Sequence, residues 1–407
     1  MSPAHLLALS LALLQVGVLT TLVAVPPLLL ALFAIARAGY LHKLPFAARR
    51  AFLVYVGGIA FLLVVHPERK VWLAQFFFFL IYVAVFVVAR NLGPGPFCRL
   101  VLRWWLALTS LLLLAGLAGV PLFQYVAGYE DVSGWLTIRF SLFSGGGNKH
   151  ASYLFFVSLV AALALARGPL TRLELVALTV LVSLSILTRG RDSLLTFCLL
   201  LWLGRLRAGA GLWSRIWGLA AGGLLAVIVL GCLTREHMVL PTRIDWRTPS
   251  LYRAVAHEPY VRAYWNATWW EKLVGFGWPS AALRSQEFKS RQLLERAYAP
   301  LSPSEAEFES ALQTPLGPHS GFLFFLCLGG LVWSSATLVL AGGPIAWTRS
   351  DWSRPEVRLV ALAAVLMLAH LVTRDAPRFG WFWATIALCQ VAWLACPDPG
   401  REPTATG

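Results

Sequence analysis

Apolar residues run through this chain in long unbroken blocks, and short polar connectors separate one block from the next. The blocks have the length an α-helix needs to cross a hydrocarbon core of about 30 Å. They fall at 51–65, 71–89, 104–120, 151–166, 173–188, 192–206, 217–233, 320–340, 357–373 and 381–396. The first block, His5–Ala36, is too long for one upright helix and is interrupted by Thr20-Thr21 and Pro26-Pro27, so it is read as two spans. Short alternating segments of the membrane-barrel kind are absent, which leaves helix as the way to satisfy the backbone in lipid. The expectation is an all-α polytopic membrane protein of about 12 transmembrane helices. Nine of these lie in 1–233 and three in 319–396, with a tail at 397–407 and one large, partly helical loop at 234–318.

Composition agrees with this reading. Hydrophobic residues make up 58% and charged residues 13%, a balance that excludes a soluble globular class. The net charge of +15 would suit nucleic acid, but the basic residues are scattered over the connectors and gather on no single module. They read instead as orientation signals and as partners for membrane lipids, with no nucleic acid. If the 234–318 loop faces outward, connectors 37–50, 90–103, 167–172, 205–215 and 341–356 face the cytoplasm. Those five carry 14 Lys and Arg against 8 in the opposite short connectors, which favours this orientation. Twelve spans then place both termini inside. Six cysteines lie in or beside apolar blocks without a CxxC pair, so neither a disulfide framework nor a zinc site is indicated. The N-terminal block lacks a charged leader and a cleavage site, and is read as retained.

The 234–318 loop is far longer than any other connector, and such loops are commonly functional. Its charges nearly cancel, ten basic against nine acidic, and it is rich in Trp and Tyr, which argues for order. Tyr252, Ala256, Tyr260 and Tyr264 recur at helical spacing, followed by a Gly275-Phe276-Gly277 turn. A partly helical cap packed on the membrane helices is expected.

Candidate chemistry collects on the same outward side. His319 opens the block that follows the loop, and a histidine at a water–lipid boundary points to proton transfer, although it also serves as a plain helix cap. Gly329-Gly330, three turns further on, permits close approach by another helix. Arg189 and Arg191 form, with Gly190 and Asp192, the whole connector between two apolar blocks. Guanidinium forks there suit phosphate oxygens, or snorkel to headgroups. Arg139, Arg262 and Arg284 add outward cations. His150 follows a Gly145–Gly147 run, but the spacing is not that of a phosphate-binding loop. No HExxH, DxD, GxSxG or Walker sequence is present, so no metal and no cofactor is indicated.

These residues carry a resemblance. His319-Ser320, nine residues, then Gly330 is similar to the H-[N/S/Q]-x9-G pattern of bacterial O-antigen ligases, and Arg191-Asp-Ser-Leu-Leu195 resembles their R-x3-L element. Arg262-Ala-Tyr-Trp265 before Val274-Gly-Phe-Gly277 resembles the family's R-x2-W stretch and glycine turn. Arg139 through Asn148 resembles the outer segment before its middle spans. The order of elements covers about residues 50–395. Trp333 stands where the family has Gly, Thr or Tyr, at a position read as structural.

The resemblance implies an enzyme of the bacterial inner membrane, active on its periplasmic side. It would transfer polysaccharide from undecaprenyl diphosphate to a sugar hydroxyl of lipid A-core, with inversion and without metal. His319 would be the base, and Arg191 and Arg262 would hold the diphosphate. Arg189, Arg284, Arg139 and Trp265 would bind donor or glycan. A glycan polymerase or a protein O-oligosaccharyltransferase shares the donor, and a transporter is the rival from another class.

Overall fold

The computed structural model describes residues 2–15, 20–40, 44–66, 69–117, 129–130, 136–137, 147–187, 257–277, 280–289, 291–292, 295, 309, 320–343, 345, 351–373 and 380–396. Among these the regular structure is helical except for one two-residue antiparallel pairing, β1 (Tyr129–Glu130) with β2 (Leu136–Thr137). The long helices are α1 (Pro3–Leu13), α2 (Thr20–Arg37), α3 (Phe46–Val65), α4 (Arg69–Leu92), α5 (Pro94–Leu117), α6 (Gly147–Ala166) and α7 (Arg172–Leu187). Two short helices, α8 (Trp269–Val274) and α9 (Ser280–Gln286), belong to the large loop. The chain then returns to long helices with α10 (Gly321–Gly342), α11 (Pro355–Thr373) and α12 (Gly380–Leu394). The expected spans at 192–206 and 217–233 lie outside the described residues.

Among the described residues three helices, α3, α4 and α10, are both long and apolar enough to cross a membrane. Apolar helices of shorter length stand beside them, among them α1 and α12. The His5–Ala36 block is indeed two helices, packed on each other, with Ser10 donating to the Ala24 carbonyl at 2.8 Å. The division falls ahead of Thr20, and Pro26-Pro27 sit inside α2. At 11 residues α1 rises only about 16 Å, roughly half a hydrocarbon core.

Aromatic rings fill the space between helices. Phe52, Phe79, Tyr82 and Phe86 pack ring to ring between α3 and α4, and Trp72, Trp105, Trp333 and Trp383 are wholly buried. Small residues set the close crossing of α3 and α10, where a side chain on Gly58 would meet Ala336 at 3.1 Å. One buried polar side chain ties three helices together. Gln390 of α12 accepts from the Tyr82 hydroxyl and donates to the carbonyls of Leu340 (2.8 Å) and Ala341 (2.6 Å), which are orphan acceptors of the last turn of α10.

The bundle has two distinct ends. At one, Arg103 pairs with Glu174 at 2.8 Å, Arg167 pairs with Glu356 at 3.3 Å, and the Asp351 N–H donates to the Cys396 carbonyl at 3.1 Å. Connectors 90–103, 167–172 and 341–356 therefore share one end, as their basic residues led us to expect. At the other end the last residue before the α3–α4 connector, His66, meets the large loop, and the residue after His319 meets the end of α11.

Candidate functional site

The described part of the loop is partly helical and is docked on α10. Residues 257–265 form helical turns in which Tyr260 is buried with Ala281 and Cys327, and Tyr264, Phe276 and Leu323 pack against that cluster. Leu323 and Cys327 lie about one and two turns into α10, so the helical turns that carry Arg262 rest against the beginning of the helix that His319 precedes.

Below that cluster α10 is broken. Gly330 has φ 61° and ψ −155°, a conformation essentially confined to glycine, and it divides α10 into two half-helices. A break in a membrane helix frees backbone acceptors that must find donors. Here the loop supplies them. The Phe276 N–H donates to the Cys327 carbonyl at 2.7 Å and the Gly277 N–H to the Leu328 carbonyl at 3.1 Å, while the Ser334 hydroxyl donates to the Gly330 carbonyl at 2.8 Å. The approach is glycine on glycine. A Cβ on Gly275 would lie 2.4 Å from the Leu328 oxygen, and one on Gly330 would lie 2.4 Å from the Leu273 oxygen. The two glycine elements singled out in the sequence, 275–277 and 329–330, are thus the two halves of one backbone lock, and what packs against Gly330 is a loop turn where another helix was expected.

A residue that sequence reasoning passed over completes the lock. His66 caps the C-terminus of α3, is 6% exposed, and donates from Nε2 to the Val274 carbonyl at 2.7 Å. Its ring stacks on Trp72, which meets Trp333 edge-on. Trp333 is buried and donates to the Tyr55 hydroxyl at 3.3 Å, so the indole is a packing element. The available signal was a histidine closing an apolar block immediately before Pro67.

Two of the loop's described cations, Arg262 and Arg284, are paired. Arg262, 56% exposed, forms an ion pair with Glu258 one turn earlier. Arg284 reaches Glu271 at 2.6 Å and lies over the Phe276 ring at 5.9 Å. Glu271 also closes a capping box at the start of α8, accepting from the Thr268 N–H (2.8 Å) and hydroxyl (2.9 Å) while Thr268 accepts from the Glu271 N–H. Trp265 stands free at 78% exposure. His319, Arg191, Arg189 and Arg139 lie outside the described residues. Ser320, next to His319, is described: its hydroxyl donates to the Leu371 carbonyl at 3.2 Å and accepts from the Leu323 N–H, fixing the start of α10 against α11.

Burial opposes the charge on Glu271, but its hydrogen bonds from Thr268 and its pairing with Arg284 outweigh that and hold the carboxyl below the usual carboxylate range. A depressed pKa contributes stability that is present above the unfolded value and lost as pH falls through the folded one. Limited pepsin digestion from about pH 5 down to about pH 3 should therefore open the 268–286 segment progressively. Glu271→Gln should already be cleaved faster at the upper pH and show a much smaller step.

No protein-family model, curated protein or solved structure matches the chain.

Proposed function

We propose that this chain is a membrane glycosyltransferase of the O-antigen ligase kind. It moves a polysaccharide from undecaprenyl diphosphate to a sugar hydroxyl of lipid A-core at the periplasmic face of a bacterial inner membrane. The observation that carries the reading is the backbone lock between Val274–Gly277 and Cys327–Gly330, because it ties the segment bearing Arg262 and Arg284 to the helix that begins directly after His319.

In this mechanism the acceptor hydroxyl attacks the anomeric carbon and His319 takes its proton. The bond from that carbon to the diphosphate oxygen breaks, and the electron pair stays on the diphosphate. Arg191 and Arg262 stabilise the charge that develops there, with Arg189, Arg284 and Arg139 around them. Glu258 and Glu271 hold Arg262 and Arg284 extended until phosphate oxygens replace them as acceptors. Trp265 offers an open indole face to a sugar ring. Direct attack inverts the anomeric centre.

A broken membrane helix also favours a second reading, transport, since such breaks form substrate and ion sites. Against it, the Cys327, Leu328 and Gly330 carbonyls at this break are engaged by protein donors. The test is a choice of acceptor. Purified protein is given labelled lipid-linked glycan together with lipid A-core, a second lipid-linked glycan, or a pilin-like protein. Label should enter lipid A-core and should do so equally in EDTA. Label in the second glycan would make the chain a polymerase, and label in protein an oligosaccharyltransferase. Activity lost in EDTA and regained with a divalent ion would reveal a metal site that this reading lacks.

A further inference from the structure

His66 has no part in the chemistry described above, yet it is a buried imidazole whose bond reaches from the end of α3 to the loop. The Val274–Gly277 turn is held from two sides. On one, its N–H groups pair with the break in α10, and on the other its Val274 carbonyl accepts a hydrogen bond from His66. A carbonyl only accepts, so Nε2 must carry hydrogen in this arrangement. The ring is closely flanked: Trp72 lies stacked at 5.5 Å, and Gly277, which has φ +72°, comes so near that an added side chain would meet Nδ1 at 3.0 Å. Trp72 in turn occupies the space left by Gly329, where a Cβ would lie 2.6 Å from the indole. Imidazole, indole and the two glycine elements form one continuous contact from α3 through α4 to α10.

We propose that His66 is a positioning residue: through its bond to the Val274 carbonyl it sets the seat of the Arg262- and Arg284-bearing segment on the broken helix α10. The part that concerns transfer rests on the glycosyltransferase reading. The part that concerns the seat of the loop does not, and the experiment separates them.

Glutamine and asparagine are the informative replacements. His66→Gln places an amide N–H at the reach of Nε2, whereas His66→Asn keeps polarity but is too short to reach Val274. Hydrogen exchange on the full-length protein in lipid nanodiscs reads the seat at the Phe276 and Gly277 amides. His66→Asn should speed exchange at those two amides about tenfold or more, with the α3 and α4 amides unchanged, and His66→Gln should restore protection. In the transfer assay His66→Asn should lower kcat/KM for the lipid-linked donor about tenfold, chiefly through KM, and His66→Gln should recover to within about threefold. Unchanged exchange in His66→Asn would overturn the proposal. So would a His66→Gln variant as inactive as one lacking the base, because that would make the imidazole itself a reactant. If His66→Asn fails to fold, His66→Gln decides alone: native exchange and KM uphold the assignment, and lost protection ends it. A wild-type chain that transfers nothing, yet shows the exchange difference, would sink the transferase reading and leave the seat established.

Discussion

Replacing His319 by Ala is expected to abolish transfer to lipid A-core while the protein still folds, inserts and binds its donor. A general base in position contributes about 10²–10⁴-fold to rate, and removing it should leave no more than about one part in a hundred of wild-type turnover. Folding should survive because the start of α10 has a cap and a tie of its own. Ser320 supplies the cap, holding the Leu323 N–H and the Leu371 carbonyl, and the loop is seated further down by Cys327, Leu328 and Val274. The measurement is turnover of labelled donor by purified variant and wild type, beside their thermal unfolding. A fully active His319→Ala would sink the base assignment, and an inactive variant with a much lower Tm would show that the residue is structural.

The second large effect lies in the backbone lock. Gly275 (φ 80°, ψ 179°) and Gly330 (φ 61°, ψ −155°) both occupy a region essentially closed to other residues, at a cost of about 1–3 kcal/mol each for a side chain forced there. Steric overlap adds to this, since each Cβ would sit 2.4 Å from a carbonyl oxygen of the other strand, and backbone cannot swing aside as a flexible side chain does. Gly275→Ala and Gly330→Ala should each destabilise the docked loop by about 3 kcal/mol or more, seen as rapid proteolysis of the 257–288 segment and loss of transfer. The double variant should be little worse than either single one, because both break the same contact. Gly57→Ala is the control: nothing lies within 4 Å of its Cβ position and it should be neutral or slightly stabilising. Single variants as stable as that control would mean the lock is not under the strain its dihedrals indicate.

Long apolar blocks made the helices legible, because burying a backbone in lipid leaves little choice of structure and the blocks carry their own lengths. Connector charge was legible for the same reason: Arg103, Arg167 and the 341–356 connector gather at one end, as the count of Lys and Arg implied. The glycine elements at 275–277 and 329–330 were visible one at a time. Their meeting was not, since it is a contact between backbones more than 50 residues apart and leaves no periodicity in either segment. His66 was invisible for a related reason, its partner being a carbonyl that exists in every residue. The pairing of Arg262 with Glu258 follows an ordinary i, i+4 spacing that was open to inspection, whereas that of Arg284 with Glu271 depends on how α8 and α9 fold back on each other. Of the two interruptions read in the first block, Thr20-Thr21 stands at the start of α2 and Pro26-Pro27 lies inside it. Neighbouring helices absorb a proline pair inside a membrane helix, so proline alone is a poor marker of an end there.

The most direct test of the account is stoichiometry in proteoliposomes that contain the wild-type chain, labelled undecaprenyl diphosphate-linked glycan and lipid A-core. Each glycan that appears on lipid A-core should be matched by one undecaprenyl diphosphate released, with the anomeric configuration inverted. Movement of the intact donor across the bilayer with neither product formed would contradict the account and make the chain a transporter.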